Sequence, residues 1–170
     1  GKAAKIAREA GIPVTVDVDT VYHGFDKVLP YVDYLVTSSD FPVQWTNESD
    51  PCKALERIQD EYGMTVAAMT LGAHGAIARV NGQFVYSPAY IVNCVDTTGA
   101  GDVFHGTFCY TVLEKLPMRE ALDLCNAMAA INCTALGARG GIRTLQDARA
   151  LMGRAERRSQ RDFEMRRHSA

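Results

Sequence analysis

At 170 residues the chain is long enough to bury one sizeable core, and one domain is the default count. It is 47% apolar and 22% charged with a net charge of -2, which gives no electrostatic reason to expect nucleic acid or an anionic membrane as partner. No apolar run approaches the ~20 residues needed to span a bilayer, and no signal peptide opens the sequence.

Cys52, Cys94, Cys109, Cys125 and Cys133 are odd in number and lack metal-binding spacing, which predicts free thiols in a reducing cytoplasm. Basic residues gather at the end, where Arg157, Arg158, Arg161, Arg166 and Arg167 alternate with Glu156, Asp162 and Glu164. That mixture reads as a solvated helix end or frayed tail, so the chain divides into a body, 1–152, and a charged tail, 153–170.

In chain order, a helix over Lys2 to Ala10 is stopped by Gly11, and the β-branched run Ile12 to Val18 reads as a buried parallel strand. A helix-like piece from Phe25 to Val32 precedes a second strand, Tyr34 to Thr37. Asp50-Pro51 supplies an N-cap and a proline at the first helical position, opening a helix that Gly63 closes. Thr65 to Thr70 is a third strand. Ala76 to Val80 and Gln83 to Tyr86 flank Asn81-Gly82, a hairpin signal, and Tyr90 to Val95 reads as a further strand. Helices follow near Ala100, from Met118 to Ala135, and from Leu145 to about Arg158. The alternation predicts a layered α/β fold with a mainly parallel sheet. A chain that begins inside a helix, with no strand before it, reads as entering a larger fold partway through.

The segment Asp96-Thr97-Thr98-Gly99-Ala100-Gly101-Asp102 lies between a β-branched run and an apolar helix. Gly99 and Gly101 permit positive φ and close backbone approach, and the helix start adds unpaired amides, so an anion is favoured there. Asp102 would repel that anion unless it has separate work. Its spacing fits a general base for an attacking hydroxyl and, equally, a carboxylate complementing the helix dipole.

The run DTTGAGDVFHGTF resembles the C-terminal signature of the PfkB carbohydrate kinase family, the ribokinase-like kinases. The resemblance implies that Asp102 deprotonates a sugar hydroxyl while Gly99, Ala100 and Gly101 hold the transferring γ-phosphoryl of ATP. Thr70-Leu71-Gly72-Ala73-His74-Gly75 is similar to the family's T-x-G-x-x-G nucleotide loop, with Thr70, Gly72 and Gly75 at its fixed positions and His74 at a solvent-facing variable one. Asn126 falls where the family has a polar residue lining the adenine pocket. The stretch from Asn132 to Gly141 resembles the loop of a K⁺ site, which implies ligands from Asp96, Thr98, Asn132, Ala135, Gly137 and Gly141; the last lacks the usual hydroxyl. The family's N-x-x-E is absent from Thr37-Ser38-Ser39-Asp40-Phe41-Pro42, leaving Mg²⁺ to bridge the ATP phosphates and tilting the reading towards fructose-type members.

The resemblance maps onto only the C-terminal half of a typical member. The di-glycine sugar motif and the β lid have no counterpart, and Trp45, Tyr22 and His23 sit at unaligned positions. A doubly wound sheet cut in half exposes a strand edge, so self-association is expected. The expected activity is phosphoryl transfer from ATP to a small-molecule sugar. The alternatives are a nucleoside or hydroxymethylpyrimidine kinase, or an inactive nucleotide-binding fragment. GxGxxG and GxxxxGK[ST] are absent, which argues against dinucleotide and P-loop sites.

Overall fold

The computed structural model describes residues 1–159. The tail residues Arg161, Asp162, Glu164, Arg166 and Arg167 lie outside the described residues. Five strands form one sheet in the order β1-β2-β3-β4-β5, with β1 (Thr15–Val18), β2 (Tyr34–Ser38), β3 (Val66–Thr70), β4 (Ala76–Val80) and β5 (Gln83–Ser87). β1 pairs parallel with β2, Thr15 opposite Tyr34, and β2 pairs parallel with β3, Tyr34 opposite Val66. Asn81 and Gly82 join β4 to β5 at φ 50° and 74°, the positive values a two-residue hairpin turn demands.

The described residues separate into two compact units, Gly1–Thr70 with Ala78–Phe84, and Leu71–Ile77 with residues 85–159. In the first, α1 (Lys2–Glu9), α2 (Asp40–Thr46) and α3 (Pro51–Tyr62) accompany the parallel strands. Asp50 caps α3 as its sequence predicts, its carboxylate accepting the amides of Cys52 at 2.8 Å and Lys53 at 3.2 Å, and Gly63 ends the helix at φ 66°. The core gathers Leu29, Val32, Leu35, Phe41 and Ile58, with Phe25 and Trp45 packed against it. Trp45 stacks on Phe41 at a ring separation of 5.7 Å, so this indole is a core element.

Three segments differ in detail from the sequence reading. Phe25 to Val32 is two short 3₁₀ turns, Phe25–Lys27 and Leu29–Tyr31, the second carrying Pro30 where a regular helix would need its amide. Asp40–Thr46 forms a helix that its sequence does not announce, with Pro42 in the first turn, where a missing N–H costs nothing. Tyr90 to Val95 is not a strand: Tyr90 bridges Arg157, the Ile91 amide donates to Glu156, and the Val95 amide donates to Cys133.

The second unit contains α4 (Ala100–Leu113), α5 (Met118–Asn132) and α6 (Leu145–Arg154). Tyr90, Leu124, Ala127, Met128, Ala148 and Leu151 form its buried cluster. α6 ends at Arg154, and residues 156–158 return to residues 89–91: the Arg158 amide donates to Ala89 at 2.9 Å. Arg157 donates to Ser87 Oγ at 2.7 Å, Pro88 O at 2.6 Å and Asp123 Oδ1 at 2.6 Å, and lies over the Tyr90 ring. Burial pushes the Asp123 carboxyl up, but Arg157, Ser87 and Arg119 together outweigh it and hold this group below the usual carboxylate range. Among the described residues no helix is long and apolar enough to cross a membrane.

Candidate active site

The signature segment turns into α4 at Gly99, the N-cap, with φ 76°. A side chain there is excluded twice. The left-handed conformation disfavours a Cβ, and one built on Gly99 would lie 2.5 Å from the carbonyl oxygen of Ala138. Glycine therefore lets the loop after α5 press onto the α4 N-terminus. The Ala100 amide donates to Thr97 at 3.1 Å, whereas the amides of Gly99, Gly101 and Asp102 make no bond among the described residues. Three unpaired donors at the positive end of a helix are an anion-binding arrangement.

Asp102 stands in the third position of α4, exposed and without a partner among the described residues. Asp147 occupies the same position of α6 and behaves differently. Its carboxylate folds back onto Thr144, accepting the amide at 3.0 Å and the hydroxyl at 2.7 Å, while the Asp147 amide donates to the Thr144 hydroxyl. That capping box satisfies the start of α6. At α4 the cap is a glycine with no hydroxyl, so Asp102 keeps its acceptor oxygens available beside the unpaired amides.

Asp96, Thr98, Asn132, Ala135, Gly137 and Gly141 converge. Asp96 Oδ1 accepts the Thr98 amide at 2.9 Å and its hydroxyl at 2.7 Å, and Oδ2 accepts the Gly137 amide at 2.8 Å. The Thr98 amide foremost, then its hydroxyl and the Gly137 amide, holds the Asp96 carboxyl below its ordinary range. Asn132 donates through Nδ2 to the Thr98 carbonyl at 3.2 Å, and its own carbonyl takes the Ala135 amide at 3.4 Å. Gly141 packs so closely on Asn132 that a Cβ there would lie 2.5 Å from the Asn132 Cα. Asn132 Oδ1 is buried without a hydrogen-bond partner.

A cavity of about 250 Å³ adjoins this loop. Gly72 and Ala73 line it from one side, Thr97 and Ala100 from the signature, and Asn126, Ala129, Ala130 and Cys133 from α5. Small side chains along α5 leave room for a flat ring, with a few polar groups to orient it. Asn126 is not a free hydrogen-bonding group throughout: its Nδ2 donates to Ser87 O at 2.9 Å and Ser87 Oγ at 2.7 Å. Thr70 and Gly75 are not among the lining residues. The Thr70 hydroxyl donates to the Thr37 carbonyl at 3.3 Å, and Gly75, at φ 105°, lets the loop close on Ser87 to Ala89. His74 is half-buried, and its Nδ1 is enclosed without a partner, which corrects the solvent-facing reading.

Arg158, Cys94 and Cys133 also line the cavity, and the sequence reading assigned none of them to a site. Cys94 and Cys133 each adjoin a motif residue closely, two positions before Asp96 and one after Asn132; Arg158 had no local signal. A separate apolar groove of about 610 Å³ runs beside Asp102, walled by Val103, Tyr110, Met128, Ile142 and Leu145. Among the described residues no cluster of three His, Cys, Asp or Glu side chains could hold a metal ion.

Known proteins resemble the chain over most of its length. The family model described as pfkB family carbohydrate kinase matches residues 1–145. A ribokinase of Haemophilus influenzae is 30% identical over 150 residues, covering 85% of this chain and 49% of the relative. A fructosamine kinase of Bacillus subtilis is 32% identical over 132 residues, covering 76% and 44%. The crystal structure of an aminoimidazole riboside kinase from Salmonella enterica, complexed with aminoimidazole riboside and an ATP analog, superposes with a TM-score of 0.76. It is 27% identical, over 90% of this chain and 56% of that one. The chain thus spans about half the length of the curated relatives it matches.

Proposed function

Because the chain belongs to the pfkB family of carbohydrate kinases, we propose that it carries the nucleotide-binding and catalytic portion of an ATP-dependent kinase acting on a hydroxyl of a sugar or nucleoside. The observation that carries this reading is the pairing, at one helix end, of an unpartnered Asp102 carboxylate with the unpaired amides of Gly99, Gly101 and Asp102. The amides hold the transferring phosphoryl group, where their fixed dipoles oppose its charge. The carboxylate accepts the proton of the acceptor hydroxyl, which then attacks in line. Helix α4 supplies both groups from one rigid element, so their mutual geometry is set before either substrate arrives.

The cavity lined by Gly72, Asn126, Ala129 and Ala130 takes the base of ATP, with Thr97 and Ala100 leading from it to the anion site. Gly75 closes that loop from outside the cavity, its carbonyl accepting the Leu71 amide at 2.8 Å, while Thr70 bonds to Thr37 instead. Mg²⁺ would enter with ATP as part of the nucleotide substrate and would offset the charge of its phosphates.

The oxygen-rich loop fits a monovalent cation. It offers one carboxylate held ionised, several backbone carbonyls and the orphaned Asn132 Oδ1, a hard donor set with too little negative charge for a divalent ion. K⁺ would be held by Asp96 and by the carbonyls of Thr98, Asn132, Ala135 and Gly137, with Gly141 contributing close packing but no hydroxyl. When bound it would add positive charge beside the phosphoryl site.

The reading is tested by assaying phosphoryl transfer from ATP to ribose, fructose and nucleosides, for the wild type and for Asp102→Asn. Loss of a general base lowers turnover by about 10²–10⁴, with ATP affinity retained. Undiminished turnover in Asp102→Asn would remove the base from the mechanism.

A further inference from the structure

Cys94 and Cys133 face the same cavity from two directions, one from the irregular segment before the signature and the other from the end of α5. The Cys133 carbonyl accepts the amide of Val95, the residue after Cys94, at 2.8 Å and the Asp96 amide at 3.3 Å, which holds the two segments side by side. Burial foremost, and the neighbouring Cys94 thiol after it, push the Cys133 thiol up. Cys94 is exposed and Cys133 is half-buried; Cys52 and Cys125 are buried, and Cys109, half-buried like Cys133, does not line this cavity, so a reagent entering it meets this pair. The chemistry of phosphoryl transfer uses neither thiol.

We propose that Cys94 and Cys133 form an oxidisable dithiol, which closes to a disulfide with a low-molecular-weight disulfide as oxidant, and that closure and nucleotide occupancy exclude one another. In the first step the Cys94 thiol gives its proton to solvent, and the thiolate attacks one sulfur of the oxidant. This forms a mixed disulfide and expels one small thiolate. Cys133 then gives its proton to solvent, attacks the Cys94 sulfur and expels the second. Two protein thiols are oxidised and one small disulfide is reduced to two thiols. The bridge ties the last turn of α5 to the segment entering the signature, across the wall that the base of ATP would contact. The coupling to nucleotide, though not the bridge itself, rests on the nucleotide reading of the cavity.

The test incubates the chain with oxidised glutathione, blocks remaining thiols with iodoacetamide, and maps peptides by mass spectrometry. The expected product is a single linkage joining Cys94 to Cys133, absent from Cys94→Ser and from Cys133→Ser. Recovery of both cysteines alkylated, or a linkage to Cys52, Cys109 or Cys125 instead, would overturn the dithiol. ATP at tenfold excess over its Kd should slow the linkage about elevenfold by mass action. If the reduced chain binds ATP and the linkage rate is unchanged, mutual exclusion is wrong. If the reduced chain binds no ATP, the nucleotide reading falls and the exclusion with it, while the peptide map still decides the dithiol by itself.

Discussion

The carboxylate of Asp96 accepts the backbone amide of Gly137 at 2.8 Å, joining two segments 41 residues apart in sequence. Through its other oxygen the same group organises Thr98, so one side chain aligns the start of the signature with the loop that follows α5.

Replacing Asp96 with Asn tests that alignment. The amide has one acceptor oxygen, so its nitrogen must face either the Thr98 or the Gly137 donor. ATP affinity is expected to fall about tenfold, as loss of a charge-assisted bond implies, and stimulation by KCl over choline chloride should disappear. Isothermal titration in the two salts measures both. An unchanged KCl effect would remove Asp96 from the cation site.

Gly99 is the position where α4 tolerates least. Gly99→Ala must adopt a left-handed φ, at a cost of about 1–2 kcal/mol, and must displace Ala138 besides. Gly106, in the middle of the same helix, has no heavy atom within 4 Å of a built Cβ. Gly106→Ala in this chain should therefore stabilise by about 0.5–1 kcal/mol through helix propensity. Urea denaturation of the two variants should shift in opposite directions, and only Gly99→Ala should lose ATP binding.

How much of this was legible depends on how local the determining chemistry is. Asp50, Pro51 and Gly63 declare the ends of α3 because capping acts within a few residues, and Asn81-Gly82 declares its turn for the same reason. The anion-favouring character of Gly99 to Gly101 is legible because a glycine-rich turn and a helix start are contiguous, while the base role of Asp102 rests on the family resemblance. The opposite holds for Tyr90 to Val95, whose β-branched residues satisfy strand propensity while the backbone partners lie at Cys133 and Glu156. Arg157 is the sharpest case. Alternating charges suggest a solvated tail, yet its partners Ser87 and Asp123 lie 70 and 34 residues earlier, and no local pattern points to them.

That buried network carries a pH signature. Asp123 is held below the usual carboxylate range, so its contribution to stability is fully present above the unfolded value of about 3.9. It is lost as pH falls from there through the depressed native value. Asp123→Asn should lower stability by about 2 kcal/mol at pH 7, less than for a fully buried pair because these side chains retain some exposure. It should also flatten the stability profile between about pH 5 and pH 2. Denaturant midpoints across that range provide the measurement, and a parallel profile for wild type and variant would contradict the network's role.

The third-position aspartates of α4 and α6 allow one comparison that separates folding from chemistry. Asp147 belongs to a capping box with Thr144, and removing the Thr144 hydroxyl as Thr144→Ala should cost about 1 kcal/mol, or about 2–4 °C in Tm. Asp147→Asn should lower Tm in the same direction, since the Thr144 contacts hold its carboxyl in the ionised form. Neither change touches the anion site, so ATP binding should persist. Asp102 makes no such bond, and Asp102→Asn should leave Tm nearly unmoved apart from a small loss of helix-dipole interaction. Its effect should fall on phosphoryl transfer instead. A Tm loss in Asp102→Asn as large as in Thr144→Ala, with transfer intact, would return Asp102 to a purely structural role at the start of α4.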